Sequence, residues 1–221
     1  VISVHSVVSW DFALGIVPGW HTTIFAPYFV AGAIHSGLAM VLTLMIPLRR
    51  LFKYEDIITI EVLQNVAKTI VLTGLIVGLA YGTEYFIAWY SHNAIEMEQF
   101  RWRALGDYRW GFYFMVFCNT LIPLLFLFKK VRTTIASLFI ISLIVNFGMW
   151  WERFVIIIGG VAHGFAPHAW GLYTPTIIEF GIMIGAFCLF FFLFLLFVKH
   201  LPSVSMTEMK ETLVGDHDHA A

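Results

Sequence analysis

The chain has 221 residues, of which 60% are hydrophobic and only 12% charged. Soluble domains average about half apolar and about a quarter charged, which excludes an ordinary soluble domain. A formal net charge of −1 gives no electrostatic basis for a nucleic-acid partner. The 22 Phe and 8 Trp exceed what one soluble core of this size uses, whereas lipid-facing helices need apolar residues all the way round.

In chain order, the sequence opens on Val1-Ile2-Ser3-Val4, with no initiator Met and no basic stretch ahead of a cleavage site. It reads as starting partway through a longer membrane protein. Residues 1–23 are expected to form a periplasmic segment. Apolar runs at 24–46, 66–90, 111–128, 134–158 and 176–198 follow, each close to or above the roughly 20 helical residues that cross a hydrocarbon core. The runs are continuously apolar rather than alternating, which argues against barrel strands. The expected fold is therefore all-α, a polytopic transmembrane helix bundle over 24–199 with a cytoplasmic tail at 200–221. Asp216-His217-Asp218-His219 in that tail reads as a solvated terminus rather than a metal site.

Lys and Arg set the expected orientation. Arg49, Arg50, Lys53, Lys129, Lys130, Arg132 and Lys199 fall at one end of the spans, against Arg101, Arg103, Arg109 and Arg153 at the other. The first set is expected to face the cytoplasm, which puts the N-terminal stretch and the 91–110 and 159–175 loops in the periplasm of a bacterial inner membrane. Trp10, Trp20, Trp89, Tyr90, Trp102, Tyr108, Trp110, Trp170 and Tyr173 cluster on that side, largely as an interfacial aromatic belt. Cys118 and Cys188 lie in separate apolar runs, so they read as buried thiols rather than metal ligands.

Ionisable residues in or near spans are the informative ones, because lipid burial is costly for them. Glu84, Glu152, Arg153 and Glu179 lie toward the outer ends, and His5, Asp11 and His21 precede the first span. Glu152 and Arg153 point to different sides of a helix, so each should need a partner elsewhere, with Glu84, Glu179 and Asp11 as candidates. Tyr81, Glu84 and Tyr85 share one helical stripe. His35 is mid-span without a second His at matching depth, which makes a haem held within this chain improbable. A relay from His35 through Thr43, Asn119 or Asn146 is one reading, and a hydrogen-bonded bundle histidine is the other. Inter-helix salt bridges remain the plain alternative for each acid. Taken together, the band carries the carboxylates and imidazoles that a quinol needs for its protons.

Five strings then bear on family. They are His5-Ser6-Val7-Val8-Ser9-Trp10-Asp11-Phe12, Pro18-Gly19-Trp20-His21-Thr22-Thr23 with the Ile24-Phe25-Ala26-Pro27-Tyr28-Phe29-Val30 that follows, Glu84-Tyr85-Phe86-Ile87-Ala88-Trp89-Tyr90-Ser91, Trp151-Glu152-Arg153-Phe154-Val155-Ile156, and Gly171-Leu172-Tyr173-Thr174-Pro175-Thr176. Their order and spacing resemble the C-terminal half of NrfD/polysulfide-reductase-type membrane subunits, and most nearly the ActC branch of bacterial alternative complex III. The resemblance implies a ten-helix subunit of two four-helix bundles with flanking helices. It would hold no haem or iron–sulfur cluster of its own and would be inactive alone. Quinol or menaquinol would be the substrate near the periplasmic surface. An iron–sulfur subunit, haem c subunits and a paralogous NrfD-like subunit would be partners. Carried over residue by residue, His5, Asp11 and Arg153 fall on motif positions facing the quinol region, with Glu84 and Glu179 beside it. His35, Glu84 and Glu152 are the expected proton path. Much of the family's quinol pocket belongs to an N-terminal bundle absent from this sequence.

Overall fold

A computed structural model describes residues 1–201, so the Asp216–His219 string lies outside the described residues. The chain divides into two compact units, Val1–Leu172 and a second beginning at Tyr173. The first unit contains α1 (Ile2–Ala13), α2 (Phe25–Leu51), α3 (Ile60–Tyr90), α4 (Ala94–Leu105), α5 (Arg109–Val116), α6 (Lys129–Thr133) and α7 (Ile135–Ala162). The second holds α8 (Ile177–His200). Strands are absent among the described residues, and the fold is an all-α polytopic bundle.

Five helical stretches are long and apolar enough to cross a membrane: α2, α3, Arg109–Leu127, α7 and α8. All five run over the expected apolar segments. Arg49 and Arg50 in the last turn of α2 complement its dipole, and the Thr59 side chain caps α3 by accepting from the amide of Val62. The third span is irregular. After α5 the backbone widens into a π-helical turn at Phe117–Leu121 and then tightens into a 3-10 stretch at Ile122–Leu127. Pro123 lacks the amide that a regular helix would use there.

Three structural details depart from the sequence reading. Residues 91–110 are not an irregular loop, because Asn93 caps a 12-residue helix, α4, by accepting from the amide of Ile95. Only Cys118 of the two thiols is buried, while Cys188 is exposed. Of the expected belt residues, Trp20 is instead buried in the core, packed edge-on against Phe12.

Within the first unit α2 packs most extensively on α3 and α7. Its interior holds two apolar clusters. One includes Phe25, Tyr28, Val77, Tyr81, Met115 and Val155. The other includes Leu42, Leu63, Ile70, Phe126, Leu138 and Val145. Along α2, α3 and the third span, His35, Thr73 and Asn119 fall between the residues that each gives to the two clusters, and Glu152 falls between Met149 and Val155 on α7. Four spans thus each contribute one buried polar side chain to a layer between two apolar blocks. Close approach makes the layer possible. A Cβ on Gly74 would stand 3.1 Å from both the Asn119 carbonyl oxygen and the His35 ring, and one on Gly148 would stand 2.4 Å from the Asn119 Oδ1.

Candidate functional site

Glu152 is the centre of the layer and is fully buried. Because α7 runs on to Ala162, Glu152 lies ten residues from its end, about 15 Å deep at 1.5 Å per residue. That is deeper than a band near the span ends. Its Oε2 accepts a hydrogen bond from the Tyr81 hydroxyl and another from Asn119 Nδ2 at 3.1 Å. Asn119 Nδ2 also donates to the Tyr81 oxygen at 2.9 Å, closing a triangle across α3, the π-turn and α7. Tyr28 of α2 packs edge-on against Tyr81, 5.6 Å between ring centroids, near enough to feel the charge of the same carboxylate. Three helices and the π-turn therefore converge on one carboxyl group.

The expectation that Glu152 and Arg153 need separate partners is corrected. Arg153 Nη1 lies 3.4 Å from Glu152 Oε1, and its guanidinium covers the Phe29 ring at 4.4 Å. A long Arg side chain can fold back across its own helix when the facing helix leaves room. Gly32 on α2 leaves it, since a Cβ there would meet Arg153 Nη2 at 3.4 Å and Glu152 Oε1 at 3.7 Å. Glu84 pairs with neither. It is buried on α3 with Arg103 Nη1 of α4 at 3.8 Å, and it is near enough to feel the charge of Glu152.

His35 is wholly buried, and its Nδ1 lies 2.9 Å from Thr73 Oγ1. The Thr73 hydroxyl also lies within reach of the main-chain oxygens of Thr69 and Ile70, so either partner of the His35–Thr73 bond can donate, according to the imidazole tautomer. Nε2 is buried and finds no hydrogen-bond partner among the described residues. Toward the basic end, Thr43 Oγ1 meets Ser142 Oγ at 2.9 Å and accepts from Asn146 Nδ2 at 2.9 Å. Thr43 and Asn146, candidate partners of His35 by sequence, thus pair with each other, while Thr73 holds the imidazole.

The remaining sequence candidates are placed as follows. Asp11 is exposed on α1, and half-buried His5 turns its Nδ1 to the Val1 carbonyl oxygen at 2.9 Å. Glu179 lies in the second unit, where its Oε2 accepts from the Thr176 amide at 2.6 Å and the Thr176 hydroxyl at 2.8 Å. That is a capping box closing the first turn of α8, with Tyr173 as a further hydrogen-bond partner. The structure thus brings Glu84, Glu152 and Arg153 together within the first unit. Sequence reasoning missed Thr73, Arg103 and Glu96 as buried polar residues. For the two on α4 the signal is the i, i+3, i+7 spacing of Glu96, Gln99 and Arg103, which on its own reads as a solvated helix face.

Beside the layer, α3 and α5 frame an open groove of about 420 Å³ lined by Leu75, Gly78, Tyr81, Tyr85, Phe112 and Thr120 among others. Tyr81 links its wall to Glu152.

A bundle of apolar spans with a carboxylate, two tyrosines, an amide and an imidazole stacked through its interior defines a multi-pass membrane protein with a buried polar layer. The model of the polysulphide reductase NrfD family matches residues 1–164, and the chain belongs to that family of membrane subunits of quinone-linked redox complexes. No curated protein matches the chain.

Proposed function

We propose that this chain is part of a quinol-oxidising membrane subunit of a respiratory complex of the alternative complex III type, nearest to ActC, in a bacterial inner membrane. Oxidation of one quinol yields a quinone, two electrons and two protons. In this reading the electrons leave to an iron–sulfur partner, which passes them on to haem c subunits, with a paralogous NrfD-like subunit alongside. This chain contributes protein groups and no haem or cluster. His5, Asp11 and Arg153 border the quinol region and Glu84, Glu152 and His35 carry protons.

The observation that supports this reading best is Glu152, a fully buried carboxyl group tied to Tyr81 and Asn119 and facing Arg153. Ionisable groups at such depth are expensive in lipid and mark proton or substrate paths more often than scaffolding. The test is quinol oxidation by the assembled complex. Asp11→Asn and Arg153→Ala should lower turnover with assembly intact, and Glu152→Gln should lower it on the order of 100-fold, as expected for a lost acid–base group. Full activity in all three variants would remove these residues from the mechanism.

A second reading, a proton-conducting or structural subunit with the quinol bound elsewhere, draws on the depth of His35 and the exposure of Asp11. It predicts that His35→Leu uncouples proton movement while quinol turnover stays normal.

A further inference from the structure

α4 is built inside out for a surface helix. Its buried residues are Glu96, Gln99, Phe100 and Arg103, while Ile95, Met97 and Leu105 are exposed. A helix lying on a bundle ordinarily turns its apolar stripe inward. Here three of the four inward residues are polar, and each reaches a different element. Glu96 Oε1 meets His21 Nε2 of the α1–α2 connection at 2.9 Å. Gln99 Nε2 donates to the Gly159 carbonyl oxygen of α7 at 3.3 Å. Arg103 faces Glu84 of α3 at 3.8 Å. Phe100 seals the fourth position, against Gly19 and edge-on to Tyr85. Among the described residues Gln99 Oε1 and Arg103 Nε find no hydrogen-bond partner despite their burial. Such groups are costly to hold dry, and they suit a floor that water can wet.

The His21–Glu96 pair straddles the boundary, with side-chain exposures of 55% and 5%. One partner meets solvent and the other lies in the polar floor. Glu84 lies on the same floor and feels the charge of Glu152 below it.

We propose that the underside of α4 is the mouth through which the buried acid cluster exchanges protons with the aqueous phase. His21 and Glu96 form the exchanging pair, and Arg103 is the positioning residue that holds Glu84 beneath the helix. This rests on the reading of Glu84 and Glu152 as proton carriers. Each proton released by quinol oxidation moves from Glu152 to Glu84, through water on the floor to Glu96, and by His21 to bulk water. Every group ends in the protonation state in which it began.

The test uses the assembled complex, with quinol turnover and proton release followed together. His21→Ala and Glu96→Gln should each lower both by at least about tenfold, a modest part of what a positioned proton-transfer group contributes. Imidazole added to the medium should restore His21→Ala, a response that a packing defect would not give. If His21→Ala fails to assemble, His21→Gln, which keeps a donor for Glu96, is read in the same assay. Normal turnover in both the His21 and Glu96 variants, or a loss in the His21 variant that imidazole leaves untouched, would overturn the proposal. If Glu152→Gln is impaired while these variants are normal, only the mouth is wrong. If Glu152→Gln is itself normal, the underlying proton-path reading fails.

Discussion

Asn119 reaches Glu152 because residue 148 on α7 has no side chain. A Cβ at Gly148 would stand 2.4 Å from both Asn119 Oδ1 and Cys118 Cβ, closer than packed atoms come, so α7 and the π-turn would have to part. Gly148→Ala should therefore destabilise by about 1–3 kcal/mol, the usual cost of overpacking. It should also loosen the Asn119 bridge and, where Glu152 carries protons as proposed, lower quinol turnover. Helix propensity works in the opposite direction, favouring Ala over Gly by about 1 kcal/mol. Gly37→Ala on α2 isolates that contribution, since nothing lies within 4 Å of its would-be Cβ. The measurement is thermal unfolding of the complex in detergent. A Gly148→Ala protein as stable as Gly37→Ala would show that the close approach does not hold the layer together.

The elements themselves were unequally legible in the sequence. Spans announce themselves through length and continuous apolarity, which a bilayer demands whatever the partners do, so all five were readable. The π-turn at Phe117–Leu121 was not, because its cause is tertiary: Gly74, Gly78 and Gly148 pull neighbouring helices in, and the backbone widens to seat Asn119. α4 reads as loop in the sequence because its inward face is polar, and polar residues carry no periodic apolar signal. Two predictions belong here. Asn93→Ala removes the α4 cap and should cost about 0.5–2 kcal/mol locally, seen as faster amide hydrogen exchange across residues 94–105. The second concerns His163, just past α7, whose ring stacks on Trp102 at 4.5 Å and Trp170 at 3.6 Å. Burial pushes its pKa below the ordinary value, with the Glu98 charge opposing. The folded state then binds the proton less readily than the unfolded chain, so this contribution is present above the ordinary value of about 6.5 and is lost as pH falls below it. Tryptophan fluorescence should report loosening of this stack as pH falls below about 6.5. His163→Phe should flatten that response, and an unchanged pH profile in the variant would assign it to other groups.

At the scale of the whole molecule, the distribution of charge becomes sharper once burial is known. Counting Lys and Arg in sequence sets seven against four, a modest bias. Two of the four, Arg103 and Arg153, face the buried carboxylates Glu84 and Glu152, so their charge is balanced within the protein. At the α4 end of the first unit this leaves Arg101 and Arg109 at the surface, the latter over the Trp110 ring at 5.5 Å. The opposite end of that unit keeps Arg50, Lys53, Lys129 and Lys130 exposed, with Arg49 and Arg132 partly so. Cations count toward orientation when they are free beside a span, and by that measure the basic end is the one expected in the cytoplasm. Impermeant maleimide applied to sealed vesicles tests this in a background with Cys118→Ala and Cys188→Ser. Lys130→Cys should label only from the cytoplasmic face, and Glu98→Cys on exposed α4 only from the other. The inverse pattern would reverse the topology and move the floor beneath α4 to the cytoplasmic side. Proton release would then be seen inside the cell rather than outside, while the contacts among Glu84, Arg103 and Glu152 stayed as they are.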